Sequence, residues 1–258
     1  MPRARIIPSL LVRGGGLVKT RGFGDDKYVG DPINAVRIFN EKAVDELIVT
    51  DIDATVEGRE PDYAMIENLA AECRMPLCYG GGVSTVEQAK RILGLGVEKV
   101  ALSSAAIARP ELIGEIATQI GNQSVVVVLD CRKKLLGGYR AYTHNGRVET
   151  KVQPVEFARQ AEALGAGEIV LNSISNDGMQ KGYDLALASQ VRAATHLPLT
   201  LLGGAGSLAD MHEAVQRLGT IGLAAGSLFV FKGQYRAVLI SYPSRSERAD
   251  LQQQVARS

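Results

Sequence analysis

The sequence has no tryptophan, and aromatic residues make up only 5% of it. Cysteine is also rare: Cys73, Cys78 and Cys131 are odd in number and form no CxxC pair. A disulfide framework is therefore not expected, and a reducing cytoplasm is the compartment that we predict. The sequence also lacks a histidine-rich cluster, so we expect no metal and no cofactor.

An excess of charge of one sign is missing as well, because 29 basic and 28 acidic residues leave a formal net charge of +1. No global field then attracts nucleic acid or an anionic membrane surface, and neither is expected as a partner. No apolar run approaches the roughly 20 residues that cross a bilayer. The chain begins basic and then apolar, like a signal peptide, but Pro8 interrupts its short apolar run. These features predict a cytoplasmic protein.

The sequence does contain a regular alternation of apolar runs and amphipathic segments. Most of the runs are continuously apolar, which is typical of parallel strands covered on both faces. Helix-capping residues begin the amphipathic segments: Asp31 before Pro32, Ser84 paired with Glu87, and Ser207. This alternation favours a closed (β/α)8 TIM barrel over an open doubly wound sheet, which strand number alone does not exclude. The eight expected strands are residues 5–12, 46–52, 76–80, 99–104, 124–130, 168–174, 198–203 and 221–226.

The two halves of the chain resemble each other. ELIVTDID at 46–53 corresponds to EIVLNSIS at 168–175, and three further pairs of strands follow in the same order. The spacing is about 120 residues, half a barrel, so we expect a two-fold half-barrel repeat. A single barrel domain over residues 1–242 is predicted, followed by a polar C-terminal tail, residues 243–258, that is frayed or forms a short exposed helix.

Glycine-rich turns follow two of the expected strands, at the end of the barrel where active sites lie. Glycines let backbone N–H groups approach a phosphate, and a following helix N-terminus adds partial positive charge. We therefore expect two anion sites, one in each half, that bind a phosphate-containing small molecule. The alternative is that these glycines only make tight turns. The residues expected to bind phosphate are Gly81, Gly82, Ser103 and Ser104 in the first half and Gly203, Gly204, Ala225, Gly226 and Ser227 in the second.

Carboxylates also stand at strand ends. Asp130 follows five apolar residues, where an unpaired charge is expensive to bury, so it is a candidate acid or base. Its alternative role is that of a capping or ion-paired aspartate. Asp51, Ser173 and Asp177 complete the expected substrate site, although Asp177 beside Gly178 is also a typical turn former.

Charged residues begin four strands at the opposite end. Arg5, Glu46, Lys99 and Glu168 are two cations and two anions, which we expect to form a ring across the bottom mouth of the barrel. One interpretation is a stabilising layer of salt bridges. The other is a gate through which a small neutral molecule passes.

Over nearly its whole length the chain resembles the HisF family, the cyclase subunit of imidazole glycerol phosphate synthase. The resemblance implies a (β/α)8 barrel that forms a heterodimer with a HisH-like glutaminase at its bottom face. Ammonia would enter through the four-residue ring and attack a bisphosphorylated ribulosyl substrate held by the two phosphate sites. The products would be imidazole glycerol phosphate and an aminoimidazole carboxamide ribotide. The matching motifs are RII at 5–7, GLVK at 16–19, GDP at 30–32, DELI at 45–48, GGG at 80–82, EKV at 98–100, GAGEI at 165–169, KGYD at 181–184 and GGAG at 203–206.

The family's chemistry uses two aspartates, and the chain matches only one of them. The aspartate of strand five corresponds to Asp130, but that of strand one falls on Leu11. A leucine transfers no proton, and losing a positioned acid or base typically costs about 10²–10⁴-fold in rate. Where the family has a more polar turn after this strand, the chain has Gly14, Gly15 and Gly16.

The segments at 5–11, 27–42 and 226–243 resemble a branch of HisF-like proteins that supplies ammonia to a separate sugar amidotransferase. In that branch the N-acetyl group of a nucleotide-linked sugar becomes an acetamidino group, for surface polysaccharide. Three hypotheses follow: an ammonia-delivering barrel for sugar amidination, a histidine-pathway cyclase in which Asp51 or a loop residue replaces the missing aspartate, and a scaffold that only activates the glutaminase.

Overall fold

Eight parallel strands form a closed barrel in the computed structural model, which describes residues 3–255. The first strand, β1 (Arg5–Arg13), pairs with β2 (Leu47–Asp51) on one side and with β8 (Gly222–Ala225) on the other. The other strands follow in chain order, and the pairing of β5 with β6 closes the ring. The predicted (β/α)8 barrel is therefore confirmed. The remaining barrel strands are β3 (Leu77–Gly80), β4 (Lys99–Leu102), β5 (Val125–Lys133), β6 (Glu168–Ser173) and β7 (Leu199–Leu202).

Helices lie between the strands and cover the outside of the barrel. The predicted caps of two helices are confirmed: the Asp31 carboxylate accepts the N–H of Asn34 over 2.8 Å, and Ser207 forms a capping box with Asp210. The helices are α1 (Pro32–Glu41), α2 (Tyr63–Glu72), α3 (Val86–Gly94), α4 (Glu111–Ile120), α5 (Pro154–Ala163), α6 (Leu185–Ala194), α7 (Leu208–Leu218) and α8 (Arg245–Val255). Shorter turns are the helical segments Ser104–Ala108 and Ser227–Val230 and the 3-10 turn Asn122–Ser124.

The cap of α3 differs from the prediction by one residue. The sequence predicts Ser84 with Glu87, but the structure caps the helix with Thr85, whose hydroxyl accepts the N–H of Gln88. The Gln88 side chain in turn accepts the N–H groups of Thr85 and Ser84. Both frames satisfy the capping-box pattern. Burial favours the cap at Thr85, because the side chain that returns to it, Gln88, is buried. A neutral glutamine costs less to bury than a glutamate such as Glu87 would.

The C-terminal segment packs against the start of β1 as helix α8. Leu251 is buried, and the Gln252 side chain exchanges two hydrogen bonds with the backbone of Ala4, at 3.0 and 2.7 Å. The predicted ranges 1–242 and 243–258 include residues 1–2 and 256–258, which lie outside the described residues.

Three antiparallel hairpins stand above the C-terminal ends of the barrel strands. Strands Gly16–Arg21 and Gly24–Gly30 follow β1, and strands Tyr139–Thr143 and Val148–Glu149 follow β5. A small hairpin of Phe231–Lys232 with Ala237–Val238 follows β8. The first two hairpins line the pocket at this end of the barrel through Thr20, Phe23, His144 and Asn145.

The bore of the barrel holds an apolar layer of its own, separate from the core between strands and helices. Its side chains alternate along each strand with those that face the helices, as the two-residue period of a strand requires. The buried members are Ile7, Ile48, Cys78, Ala101, Val126, Val170 and Ala224.

In the described part of the chain, all three cysteines are free, and no three histidine, cysteine or acidic side chains cluster as metal ligands would. None of the described helices has the length and apolar character needed to span a membrane.

Candidate active site

The four charged residues at the bottom of the barrel meet in one ring. Arg5 pairs with Glu46 and, at 2.7 Å, with Glu168. The Lys99 ammonium lies 2.7 Å from Glu46 and 2.9 Å from Glu168. Burial alone would lower the pKa of both cations, but the facing carboxylates raise it. Cations and anions alternate around the ring, so each charge is neutralised by its neighbours.

Thr200 completes this layer. Its hydroxyl donates to Glu168 over 2.5 Å, and both side chains are buried. Burial would raise the pKa of Glu168, but Arg5, Lys99 and Thr200 lower it overall. Above the ring lies the apolar layer of the bore, and above that layer the upper pocket begins. An ion is costly to place in such a layer, whereas a small neutral molecule is not.

Asp130 lies in the upper pocket at the point where β5 leaves the barrel. Asn172 donates to one carboxylate oxygen over 2.8 Å, and the Ser103 hydroxyl donates to the other over 3.4 Å. Burial raises the pKa of Asp130 to about 6, and these two hydrogen bonds only partly oppose it. A carboxylate of this kind changes protonation state near neutral pH, which suits it to general acid–base work.

Leu11 lines the same pocket from β1. It lies between Thr50 of β2 and Val18 of the first hairpin. In the two-fold repeat of the barrel it occupies the position that Asp130 occupies in the other half. The pocket therefore presents a carboxylate at one of two equivalent positions and an apolar side chain at the other.

Asp51 is one of the candidates, with a loop residue as the other, for the role of the first HisF-family aspartate, and its carboxylate already has hydrogen-bond partners. One carboxylate oxygen accepts the N–H groups of Asp53 and Ala54, at 3.0 and 3.1 Å. The other lies 3.4 Å from Arg59. These bonds make Asp51 the cap of the turn after β2, although it still lines the pocket.

Two further ionisable side chains, Lys19 and Asp177, line the pocket. Lys19 of the first hairpin is buried and donates to the carbonyl oxygen of Ser9. Burial lowers the pKa of Lys19 to about 8, against the attraction of Asp177. Burial has the opposite effect on the carboxyl group and raises the pKa of Asp177, which accepts a 2.8 Å hydrogen bond from Thr20. The predicted residue Asp177 is thus in the pocket, whereas sequence reasoning missed Lys19.

The expected anion-site residues divide into two groups. Gly81, Gly82, Ser103, Ser104 and Gly226 line the pocket, on opposite sides of the barrel. Gly81 has φ +114°, and a Cβ there would overlap the carbonyl oxygen of Asp51, so only glycine fits. The other expected residues do not line the pocket: Gly203, Gly204, Ala225, Ser227 and Ser173.

Comparison with known proteins decides the family. Residues 5–236 match the family described as histidine biosynthesis protein. A protein of Vibrio vulnificus (strain YJ016), provisionally named imidazole glycerol phosphate synthase subunit hisF3, is 57% identical over 249 residues, 96% of each chain. The chain belongs to the HisF family.

Other members of the HisF family are similar over most of their length. A Leptospira interrogans protein, provisionally named imidazole glycerol phosphate synthase subunit HisF, is 54% identical over 252 residues, 97% of this chain and 99% of that protein. The imidazole glycerol phosphate synthase subunit HisF of Halalkalibacterium halodurans is 40% identical over 229 residues, 88% of this chain and 91% of that protein.

Within this HisF-family barrel, Asn172 rather than its neighbour Ser173 faces the upper pocket. Strand alternation provides the missing signal: Glu168 faces the bore, so Val170 and Asn172 must face it too. Ser173 is out of phase with that face. Asn172 holds Asp130 through its amide nitrogen, and its amide oxygen has no hydrogen-bond partner.

Proposed function

We propose that this protein is the ammonia-accepting barrel subunit of an imidazole glycerol phosphate synthase, working in the cytoplasm. A HisH-like glutaminase would bind at the bottom face, where the four-residue ring lies. The observation that carries the proposal is the order of features along one barrel axis. A neutralised ionic ring comes first, an apolar layer second and a pocket with Asp130 third. The names of the HisF-family relatives, which match nearly the whole chain, support it.

In this proposal ammonia attacks a bisphosphorylated ribulosyl substrate in the upper pocket. When the nitrogen of ammonia forms a bond to carbon, it becomes positively charged and must release a proton. Asp130, held by Asn172 and Ser103, is placed to accept that proton. The phosphates would lie at the two opposed glycine-containing turns. Lys19 and Asp177 are the further groups available for proton transfer in a pocket where Leu11 provides none.

Leu11 favours a second candidate function. With one of two equivalent acid positions apolar, ring closure would lack a proton-transfer group, while ammonia passage would not need one. In this alternative the barrel delivers ammonia to a separate sugar amidotransferase that amidinates a nucleotide-linked sugar for surface polysaccharide.

One assay separates the two candidates. Purified barrel, ammonium salt and the bisphosphorylated ribulosyl substrate are incubated together, and imidazole glycerol phosphate is measured by mass spectrometry. The cyclase proposal expects product, and it expects Asp130→Asn to form it about 10²-fold or more slowly. Absence of product from the wild-type protein would overturn the cyclase proposal and leave ammonia delivery to another acceptor.

A second experiment tests passage through the ring. In the complex with the glutaminase, Lys99→Trp is expected to reduce transfer of glutamine-derived ammonia while glutaminase activity persists. Lys99→Arg, which keeps the charge, is the matched control and should transfer ammonia as the wild type does. Equal transfer by the two variants would show that ammonia reaches the acceptor by another route.

A further inference from the structure

A side chain from outside the barrel strands reaches the second anion site. Arg236, in the small hairpin after β8, donates from Nη2 to the Ser227 hydroxyl over 3.4 Å. Its guanidinium carbon lies 4.4 Å from the centre of the Phe231 ring. Lys27, in the first hairpin, donates to the Arg236 carbonyl oxygen over 2.9 Å. Two hairpins therefore meet here, and together they hold the guanidinium beside Ser227.

The Arg236 guanidinium has fewer hydrogen-bond acceptors around it than it has N–H donors. Its Nε is shielded from solvent and has no hydrogen-bond partner, and the bond from Nη2 to Ser227 is long. A shielded donor without an acceptor is unfavourable. Arginine presents its donors as a planar fork that matches two oxygens of a phosphate. An anion beside Ser227 would supply the acceptors that the protein does not.

The charges around this position also favour an anion. The Lys19 ammonium occupies the space that a Cβ on Gly226 would fill. The positive charge of Arg21 acts on Arg236, and Asp177 is the carboxylate that attracts both Lys19 and Arg236. Burial and the neighbouring Arg21 lower the pKa of Arg236, which Asp177 only partly opposes. Lys19 and Arg236 share the carboxylate of Asp177. Arg21 adds a third positive charge near Arg236, so positive charge is in excess beside Gly226.

We infer that Arg236 is a phosphate ligand of the second anion site, where its fork and the Ser227 hydroxyl bind the same phosphate group. This inference rests on the proposed function, in which the turn that contains Gly226 binds one phosphate of the substrate, and it extends that site to the Ser227 hydroxyl behind the turn. It makes the hairpin after β8 part of the binding site, so that this hairpin, and not the barrel strands alone, selects a ligand that ends in a phosphate group.

The test is a titration of ¹⁵N-labelled full-length protein with inorganic phosphate, followed by two-dimensional NMR. The amides of Gly226 and Ser227 report on the second site, and those of Ser103 and Ser104 report on the first. Arg236→Gln is expected to raise the Kd seen at the second site about tenfold or more, since hydrogen bonds to a charged group are strong. The Kd at the first site should stay unchanged, which also confirms that the variant is folded.

Two further variants sharpen the result. Lys232→Gln removes an exposed cation from the same hairpin and should leave both Kd values unchanged. Arg236→Lys keeps the charge but loses the fork, so its Kd should lie between those of the wild type and Arg236→Gln. It also replaces Arg236→Gln in the test if that variant fails to fold. Glycerol 3-phosphate and uridine diphosphate, titrated in parallel, distinguish a phosphate monoester from a diphosphate as the preferred ligand.

Two outcomes would overturn the inference. One is a Kd for Arg236→Gln within twofold of the wild-type value at Gly226 and Ser227. The other is a wild-type protein whose Gly226 and Ser227 amides show no saturable shift. Neither outcome bears on ammonia transfer or cyclisation, which the assays above measure separately.

Discussion

Asp130 owes its chemistry to the side chains that surround it. A carboxylate at the end of an apolar strand is visible in the sequence, but the donors that hold it, Asn172 and Ser103, come from two other strands. Leu11 lies at the equivalent position on β1 in the two-fold repeat, and its contribution to the pocket also depends on the fold. It places an apolar side chain in the pocket where Asp130 places a carboxylate, and β1 contains no acidic residue.

The pH dependence of cyclisation should follow the carboxylate of Asp130. A base acts in its ionised form, so the rate per unit of free ammonia is expected to fall as pH drops through about 6. At pH 5 it should be about one tenth of its value above pH 7. Initial rates between pH 5 and 8, corrected for the ammonia fraction, measure this. An inflection near pH 4 would contradict the assignment, and Asp130→Asn should give a low, flat profile.

Replacing Leu11 with an acid tests whether the apolar side chain at this position limits cyclisation. Leu11→Asp places a carboxylate at the position equivalent to Asp130, and we expect cyclisation to rise by about 10²-fold or more. Leu11→Asn is the matched control, because it has nearly the same shape but transfers no proton. Equal rates for the two variants would show that a proton-transfer group at position 11 does not limit cyclisation.

At the scale of elements, the barrel strands were predictable to within a few residues, but the hairpins above them were not. Apolar runs mark the barrel strands because both of their faces are buried. The strand Gly24–Gly30 is polar and mostly exposed, so hydrophobic periodicity does not reveal it. Lys19 and Arg236 also come from hairpins, and their part in the site depends on how those hairpins fold over the barrel rather than on a local pattern.

Close packing between β8 and β7 depends on a glycine. A Cβ on Gly222 would overlap the Thr200 hydroxyl, which itself donates to Glu168. Gly222→Ala is therefore expected to lower the free energy of unfolding by about 1–3 kcal/mol, measured by urea denaturation. Gly94→Ala, in α3 with open space at its Cβ, is the control and should be neutral or stabilising by up to about 1 kcal/mol. Equal destabilisation by both changes would refute the packing argument.

At the scale of the whole molecule, the barrel brings distant parts of the chain to two ends of one axis. The bottom ring joins Arg5 and Glu168, and the upper pocket joins Leu11 and Asp130. Closure of the sheet between β5 and β6 is what makes both sets meet. Stability and the proposed ammonia route therefore depend on the same ring.

Removal of one cation from the ring should destabilise the protein in a pH-dependent way. Lys99→Met leaves the buried Glu46 and Glu168 with Arg5 alone, and we expect a loss of about 3 kcal/mol at pH 7. In the wild type the pKa of Glu168 is lowered, so its contribution is lost as pH falls below the ordinary glutamate range. In the variant a carboxylate without its partner gains by protonation, so the loss should shrink between pH 7 and 5.

Urea unfolding at pH 7 and pH 5 measures this difference. Lys99→Arg keeps the charge and should stay within about 1 kcal/mol of the wild type at both pH values. A loss for Lys99→Met that is the same at pH 5 as at pH 7 would show that the two carboxylates are not what the lysine neutralises.

The sequence by itself determined the eight-stranded barrel, the charges at the bottom of four strands and the carboxylate Asp130 with its missing counterpart at Leu11. The strands and the charged residues follow from local periodicity or from a charge within an apolar run, which nearby residues are enough to establish, whereas the missing counterpart at Leu11 follows from the resemblance to the HisF family. Only the tertiary structure decided that Asn172 holds Asp130, that Lys19 enters the pocket and that Arg236 reaches Ser227. Asn172 and Asp130 are 42 residues apart, and although Arg236 and Ser227 are only nine residues apart, the way each hairpin folds over a strand end depends on packing that no local pattern records.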